Sequence, residues 1–262
     1  QTNQALSILD KNYKSSSRSF VVNELCNNLR DKEMFPALMF VFSRKQVEQI
    51  ANEISVPLFQ ENEKDYMVEP VYRQLLVSKV SNWKEYKMLP EYEVYLKLLE
   101  KGIGLHHAGM LPIFREMIEI LYERKFIKIL IATETFAIGL NMPTKTVCFT
   151  SLFKYDGSKS RRLHSHEFIQ MAGRAGRRNI DTVGHVIILS NLFNQIKSEE
   201  YINIFNAKSN NIVSKFKIDY DLILFYISAG LSSEDIITFI KKSFMNVDIE
   251  RESEYLQESI TQ

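Results

Sequence analysis

The chain has 262 residues, of which 45% are hydrophobic and 25% charged, the balance of an ordinary globular protein. Its formal net charge of +1 is too small to mark the whole chain as a nucleic-acid binder, so any polyanion site must be a local patch. Cys26 and Cys148 lie far apart without metal-ligand spacing, which favours a reducing intracellular compartment over a disulfide scaffold. No apolar run approaches the roughly 18 residues that span a bilayer, so we expect no membrane partner.

The apolar pattern divides the chain into three parts. Residues 1–19 are polar and include a run of serines, which predicts a flexible lead-in. Residues 20–195 alternate apolar runs with amphipathic segments and predict an α/β domain, with a mixed-charge helical insertion at 56–101. Residues 196–262 show helical patterns alone, which predicts a small all-α element that continues beyond the last residue.

Five continuous apolar runs are predicted to form the strands of a parallel sheet covered by helices on both faces. The runs are 37–42, 103–105, 126–132, 146–151 and 184–190. Between them, apolar residues recur at helical spacing, as in Val47, Ile50, Ala51 and Ile54. Since ligands bind to open parallel sheets at the carboxyl ends of the strands, we expect the loops after these runs to form the site.

Polar segments follow the first three predicted strands. Ser43–Lys45 offers a hydroxyl, cations and the N–H groups of a helix start to a phosphate, although a capping serine with solvated charges is the favoured explanation in isolation. His106–Gly109 contains paired histidines, but no acidic or cysteine cluster completes a zinc site, so we expect no metal and a structural role remains open. Thr133–Glu134 either contributes to a site or only caps a helix and matches its dipole.

The segment QMAGRAGRR places Gln170, Arg174 and Arg177 at i, i+4 and i+7, which predicts one face of a helix. Glycines at 173 and 176 stand where a Cβ would keep a ligand at a distance. Guanidinium groups at close range suit the charge that develops on a transferred phosphoryl group. A solvated arginine-rich helix end is the alternative for this segment taken alone.

The residues just before these arginines combine capping and basic side chains. Ser165 is expected to cap the arginine helix, with Glu167 in its first turn. Lys159, Arg161 and Arg162 precede the helix and could contact a polyanion, although a solvated loop is the favoured interpretation.

Two motifs of a complete nucleotide hydrolase are missing from the sequence. It contains neither a GxxxxGK[ST] phosphate loop nor an acidic pair of the DExH type at a strand end. Nothing in the sequence therefore cradles a β-phosphate or holds Mg²⁺. We expect the chain to be half of a two-part motor and to be inactive by itself.

Six segments, in this order, resemble the second RecA-like domain of superfamily-two helicases. They are FSRK at 42–45, GIGLHHAGMLP at 102–112, ATETFAIGLNMP at 132–143, LFKYDG at 152–157, QMAGRAGR at 170–177 and RRNID at 177–181. The first, third and fifth are similar to motifs IV, V and VI. The other three narrow the resemblance to the exosome-associated DExH RNA helicases of the superkiller type, over roughly residues 20–191.

The resemblance implies a RecA-like fold and an ATP-dependent RNA helicase. It implies that ATP and Mg²⁺ are held mainly by a first RecA-like domain in cis, and that RNA and exosome or other RNA-processing proteins are partners. The residues implied to contact the γ-phosphate or to line the nucleotide cleft are Gln170, Arg174, Arg177, Gly139, Asn141 and Gly173. The residues implied to contact nucleic acid are Ser43, Arg44, His107, Gly109, Thr133 and Glu134.

The resemblance also implies that the helices after the sheet begin a winged-helix region, with no room for an inserted arch near 208–217. Asn179 stands where the family usually has glycine, so we expect this loop to differ in shape. Two other hypotheses remain: a DNA helicase of the same superfamily, because the 2′-hydroxyl contacts cannot be read from sequence, and a non-catalytic RecA-like interaction module. The intact arginine segment disfavours the interaction module, and the missing phosphate loop excludes a free-standing ATPase.

Overall fold

The computed structural model describes residues 16–59, 68–136, 142, 144–193, 196–205 and 220–242. The chain divides into two compact units, residues 1–208 and residues 209–262. The predicted lead-in lies largely outside the described residues, and the first described helix begins at Arg18. Within the described part, no helix is long and apolar enough to cross a bilayer.

The first unit contains a parallel sheet, a short hairpin and eight described helices. In chain order they are α1 (Arg18–Asp31), β1 (Ala37–Phe40), α2 (Arg44–Glu53), α3 (Val68–Lys79), α4 (Trp83–Lys87), α5 (Pro90–Glu100), β2 (Ile103–His106), α6 (Pro112–Glu123), β3 (Ile129–Ala132), β4 (Thr146–Phe149), β5 (Phe153–Tyr155), β6 (Ser160–Arg162), α7 (Ser165–Ala172), β7 (His185–Ile188) and α8 (Ser198–Phe205). The described part of the second unit consists of α9 (Tyr220–Ser228) and α10 (Ser233–Lys241).

The five strands β2, β3, β1, β4 and β7 lie side by side in this order, and every pair is parallel. All residues of β1, β2, β3 and β4 are buried, as the continuous apolar runs predict. Except for β2, which extends one residue beyond its run, the strands are shorter than the runs, since residues such as Val41 and Ile127 are buried in the core without belonging to a strand. The RecA-like α/β fold is therefore confirmed.

The helices bury one apolar face each. In α2 the buried residues are Val47, Ile50 and Ala51, the face that the spacing predicts. In the segment predicted as a helical insertion, α3, α4 and α5 form, and α5 begins with Pro90 in its first turn. α8, expected to belong to the helical extension, instead packs on α7 in the first unit, where the rings of Phe168 and Phe205 are 5.2 Å apart.

The parallel arrangement gives the sheet two distinct edges. We call the carboxyl edge the side where the chain leaves the strands, after Phe40, His106, Ala132, Phe149 and Ile188. The amino edge is the side where the chain enters them, before Ala37, Ile103, Ile129, Thr146 and His185. Because a strand rises about 3.3 Å per residue, four-residue strands keep the two edges about 13 Å apart.

The hairpin of β5 and β6 was not predicted. Its strands are antiparallel, with Lys154 opposite Arg161, in a stretch that the sequence suggested was a solvated loop. Asp156 closes the turn, since its Oδ1 accepts hydrogen bonds from the backbone N–H groups of Ser158 and Lys159 at 3.0 Å each. The Asp156-Gly157 pair, a common hairpin signal, was available in the sequence.

A seam of backbone contacts joins the segment after α7 to the amino edge of the sheet. Thr144, two residues before β4, donates its N–H to the carbonyl of Arg174 at 2.9 Å and accepts from the N–H of Gly176 at 2.7 Å. Gly184, just before β7, lies so close that a Cβ on it would be 2.5 Å from the carbonyl carbon and oxygen of Ala175. Only glycine fits this approach.

We therefore predict that Gly184→Ala destabilises the folded chain by about 1–3 kcal/mol, the usual cost of overpacking, because the backbone of Ala175 cannot yield as a flexible side chain would. Urea unfolding followed by circular dichroism measures the change in the free energy of unfolding. Thr182→Ala, at an exposed position of the same loop, is the control and should change it by less than about 0.5 kcal/mol. Equal stability of the two variants would contradict the seam.

Candidate functional site

The arginine segment begins inside α7 but leaves it. α7 ends at Ala172, and Gly173 caps it with φ −65° and ψ −3°. Gly176 then has φ +90°, a conformation that side-chain-bearing residues rarely adopt. The expectation that Gln170, Arg174 and Arg177 share one helix face is therefore wrong. Gln170 is on the last turn of the helix, Arg174 is in the following turn, and Arg177 is in the loop beyond it.

The arginine segment lies at the amino edge of the sheet. Its contacts with Thr144 place Arg174 and Gly176 beside the start of β4, and Gly184 leads directly into β7. The expectation that all the site loops gather at the carboxyl edge is wrong for this segment. The reason is that α7 itself, whose eight residues rise about 12 Å, carries the chain from the hairpin side back to the other edge.

Arg177 forms a side-on ion pair with Asp181. Its Nε donates to Asp181 Oδ2 at 2.7 Å and its Nη2 to Oδ1 at 2.8 Å, and the backbone N–H of Arg177 also donates to Oδ2 at 2.9 Å. The side chains are only 19% and 6% exposed. These hydrogen bonds from Arg177 lower the pKa of Asp181 to about 2, so the pair is fully ionised at neutral pH.

The loop of this ion pair contains Asn179, at a position where the resemblance predicts glycine. Asn179 has φ +63°, in the left-handed region. Asparagine is one of the few residues besides glycine that adopt this conformation readily. Asn179 therefore forms the same kind of positive-φ turn that a glycine would form. The replacement of glycine by asparagine does not by itself require a different backbone conformation at this position.

At the carboxyl edge, the loops after β1 and β2 meet. Ser43 is in the N-cap position of α2 but its side chain makes no capping hydrogen bond, and Arg44, the first helical residue, is exposed. A Cβ on Gly109 would lie 3.5 Å from Cδ of Arg44, so the two loops touch. The N–H of Gly109 donates to Nδ1 of His107 at 3.1 Å. Ser43, Arg44, His107 and Gly109 therefore form one group.

The imidazole of His107 is turned into the protein. His106 and His107 are 5% and 4% exposed, and burial lowers the pKa of both, so both are neutral at pH 7. His106 Nε2 lies 2.7 Å from Oε1 of Glu119, and His107 Nε2 lies 3.4 Å from Oε1 of Glu48. The part of the chain that the structure describes holds no group of three His, Cys, Asp or Glu side chains that could bind a metal ion. His107 is thus placed to orient the 107–109 turn through Gly109.

The loop after β3 reaches the same edge. Thr133 is buried, and its hydroxyl lies 3.0 Å from that of Thr135. Its N–H donates to the carbonyl of His106 at 3.1 Å, which places it beside the loop after β2. Glu134 is partly exposed, with Oε1 3.8 Å from Nζ of Lys154. Gly139 and Asn141, predicted for the nucleotide cleft, lie outside the described residues.

A polar cleft of about 570 Å³ opens at the carboxyl edge next to the start of α2. Its lining includes Ser43, which was predicted, and Gln46, Thr150 and Ser151, which were not. Thr150 and Ser151 directly follow β4, although the run 146–151 that was predicted to form this strand includes them. Thr150 is buried, and its hydroxyl donates to the carbonyl of Phe40 at 3.0 Å, which ties the loop after β4 to β1.

The start of α7 is fixed by a cluster of charges from the hairpin. Glu167 accepts from Nη1 and Nη2 of Arg161 at 2.8 and 2.9 Å, from Nζ of Lys154 at 2.8 Å and from the N–H of His164 at 2.8 Å. Despite its burial, these partners hold the pKa of Glu167 well below its ordinary value of 4.5. Glu167 is therefore ionised and ties α7 to the hairpin.

One expectation for this region, that Ser165 caps α7, is wrong, and the less favoured alternative for the basic cluster, contact with a polyanion, is not supported. His164, not Ser165, is the N-cap residue of α7, and the Ser165 hydroxyl instead donates to the carbonyl of Asn203 at 2.6 Å. The basic cluster does not form an open polyanion patch, because Arg161 is paired with Glu167, and Arg162 lies 2.7 Å from Glu200. Of the three basic residues, Lys159 in the hairpin turn and Arg162 are exposed.

Comparison with known proteins confirms the resemblance carried by the motifs. Residues 78–179 match the helicase conserved C-terminal domain. The antiviral helicase SKI2 of Saccharomyces cerevisiae is 36% identical over 243 residues, which are 90% of this chain and 18% of that protein. The exosome RNA helicase MTR4 of Homo sapiens is 38% identical over 203 residues, 78% of this chain and 19% of that protein.

A third relative, the DExH-box ATP-dependent RNA helicase DExH9 of Arabidopsis thaliana, is 37% identical over 201 residues, 77% of this chain and 20% of that protein. The chain thus spans about a fifth of the length of the curated relatives it matches. The fold defines a RecA-like α/β domain. By its sequence the chain belongs with the C-terminal RecA-like domains of the superfamily-two DExH helicases, and among these it is similar to the corresponding parts of SKI2 and MTR4.

The charge cluster at α7 makes a prediction about pH. Because the pKa of Glu167 is lowered by folding, its stabilisation is complete above its ordinary pKa of 4.5 and is lost as the pH falls below that value. Glu167→Gln should lower the free energy of unfolding at pH 7 by about 1–3 kcal/mol, the range for hydrogen bonds to charged groups, and by progressively less below pH 4.5.

Thermal and urea unfolding between pH 3 and pH 7 would measure the difference. The control is Glu100→Gln, at an exposed position at the end of α5, which should show little effect at any pH. A stability difference between wild type and Glu167→Gln that stays constant down to pH 3 would contradict the assigned ion cluster.

Proposed function

We propose that this chain is the C-terminal half of an ATP-dependent RNA helicase that acts in RNA processing or decay. The observation that carries the proposal is the division of the predicted site residues between the two edges of one sheet. The arginine segment is at the amino edge, and the loops suited to a nucleic-acid backbone are at the carboxyl edge. A motor that converts nucleotide hydrolysis into movement along RNA needs two such separate sites joined by rigid elements.

At the amino edge, we assign the nucleotide phosphates to Gln170, Arg174 and Arg177. A guanidinium group neutralises the charge that develops on a transferred phosphoryl group, which is the role of an arginine finger. Gly173 has no Cβ to obstruct that approach. The pairing with Asp181 uses two of the five N–H groups of the Arg177 guanidinium. Arg177 can therefore donate to a phosphate and stay paired with Asp181.

The rest of the nucleotide site is assigned to a first RecA-like domain in cis. That domain would supply the phosphate loop and the acidic residues that hold Mg²⁺, since neither motif occurs in this sequence. Gly139 and Asn141 would complete the cleft from this side. The chain by itself would then bind nucleotide poorly and hydrolyse none.

At the carboxyl edge, we assign RNA to Ser43, Arg44 and the N-terminus of α2, next to the polar cleft. Hydroxyl groups, cations and helix N–H groups bind phosphate and sugar and carry no sequence preference. Gly109 lets the backbone approach at the neighbouring loop, where His107 acts by orienting it. Thr133 and Glu134 belong to the third loop of the same edge.

The names of the relatives support RNA as the substrate. They are an antiviral helicase, exosome RNA helicases and DExH-box RNA helicases, so exosome or other RNA-processing proteins are the partners we propose. A DNA helicase of the same superfamily is the alternative within the class. A non-catalytic interaction module is the alternative from another functional class. Comparison of ATP hydrolysis by wild type and by Arg177→Ala distinguishes this module from a helicase.

In the full-length protein, Arg177→Ala should reduce RNA-stimulated ATP hydrolysis by about 10³- to 10⁵-fold, the value of an arginine finger, and leave RNA affinity nearly unchanged. Turnover is measured by phosphate release and affinity by fluorescence anisotropy with labelled single-stranded RNA. Arg178→Ala, the exposed neighbour, is the matched control and should keep its turnover. Hydrolysis by Arg177→Ala at the rate of the control would remove the assignment, and no hydrolysis by wild type would favour the interaction module.

Arg44→Ala should weaken binding to all single-stranded RNA sequences alike. The slope of log affinity against log salt should fall by about 0.7, the value for one phosphate contact on a single strand. Arg124→Ala removes an exposed arginine after α6 and is the control, with an unchanged slope. A sequence-selective loss, or tighter binding of the same DNA oligonucleotide, would speak against an RNA-backbone contact.

A further inference from the structure

We propose that Asp181 is a positioning residue for ATP hydrolysis: it holds the guanidinium of Arg177 in a fixed orientation at the amino edge, with its far side directed to the nucleotide. The inference rests on the function proposed above. Asp181 itself would contact neither nucleotide nor Mg²⁺, and would act through Arg177 alone.

The geometry of the pair is the first argument. Asp181 Oδ2 accepts from the backbone N–H and the Nε of Arg177, and Oδ1 accepts from Nη2. A guanidinium group has five N–H donors in a rigid plane. Side-on pairing through Nε and Nη2 uses two of them and leaves both donors of Nη1 and the second donor of Nη2. A phosphate oxygen can therefore accept from Arg177 without breaking the pair.

Burial and ionisation are the second argument. The side chain of Asp181 is 6% exposed, so water competes little for its oxygens. Its pKa of about 2 keeps it charged over the whole physiological range. An arginine side chain loses much conformational freedom when it is fixed, and an enzyme that fixes it beforehand avoids this loss during the reaction.

The anchoring of the loop is the third argument. The turn that carries Asp181 closes on Arg177, whose carbonyl accepts from the N–H groups of Ile180 at 3.1 Å and Asp181 at 2.9 Å. This turn directly follows Gly176, whose N–H donates a hydrogen bond to the carbonyl of Thr144, two residues before β4. These contacts fix the position of the Arg177 guanidinium relative to the sheet, so that it does not depend on a free loop.

The opposite hypothesis is that Asp181 inhibits, by competing with phosphate for Arg177. In that case the pair would have to open during turnover, and removal of the carboxylate would raise the rate. The backbone hydrogen bond from Arg177 to Asp181 and the burial of the carboxylate favour a pair that stays closed. The two hypotheses predict changes of opposite sign in kcat when the carboxylate of Asp181 is removed.

The test uses the full-length protein with saturating RNA and compares Asp181→Asn, Arg177→Ala and the double variant. Asp181→Asn should lower kcat about 10- to 100-fold, as expected when a reacting group is displaced by about 1 Å. KM for ATP and RNA affinity should stay within about twofold of wild type. The double variant should be no slower than Arg177→Ala, because the effect of Asp181 passes through Arg177.

Glu53→Gln is the matched control. Glu53 accepts from Nε and Nη2 of Arg18 in the same side-on manner, but it is at the end of α2, away from the arginine segment. Its loss should leave kcat unchanged although it removes an ion pair of the same geometry, which is more exposed than the Arg177–Asp181 pair. Melting temperatures of all variants identify any that do not fold. If Asp181→Asn does not fold, Asp181→Glu decides: a lower kcat at unchanged KM supports the proposal, and a wild-type kcat overturns it.

The variants distinguish failure of the proposed function from failure of the role of Asp181. Turnover by Arg177→Ala would overturn the proposed function and the inference with it. If Arg177→Ala is inactive, the proposed function stands, and a wild-type or raised kcat for Asp181→Asn overturns only the inference. A double variant that is slower than Arg177→Ala would also overturn the inference, because Asp181 would then act by another route.

Discussion

The hydrogen bonds between Thr144 and the segment after α7 are the constraint on which the rest of the site depends. They hold Arg174 and Gly176 against the start of β4, and the close approach of Gly184 to Ala175 fixes the same segment beside β7. Without these contacts, the position of the arginines would depend only on where α7 ends. With the contacts, the arginines have a set position at the amino edge, about 13 Å from the loops of the carboxyl edge.

The two ends of α7 are held by different interactions. At its start, Glu167 bonds to Arg161 and Lys154 of the hairpin, and at its end the chain joins the sheet through Thr144. α7 is therefore a short helix, fixed at both ends, that connects the edge we assign to RNA with the edge we assign to nucleotide. A packed helix that is held at both ends by hydrogen bonds and ion pairs is one of the rigid elements that can carry energetic coupling between two sites.

The sheet could be predicted from sequence because strands buried on both faces leave continuous apolar runs, and all five were found. The site was predicted less completely, since its arrangement depends on contacts between distant residues. The glycines at 173 and 176 were a usable local signal that the helix ends at Ala172, but nothing local to QMAGRAGRR states that Thr144 binds the next turn. The burial of His107 likewise depends on packing. The Asp156-Gly157 turn and the i, i+4 spacing of Arg177 and Asp181 were visible but unused.

In the function that we propose, one sheet keeps nucleotide and RNA at opposite edges. Hydrogen–deuterium exchange on the full-length protein, with a non-hydrolysable ATP analogue alone and with single-stranded RNA alone, tests it most directly. We expect the analogue to slow exchange in residues 173–181, and RNA to slow exchange in residues 43–47 and 107–110. Protection of the same edge by both ligands, or protection of the arginine segment by RNA alone, would contradict it.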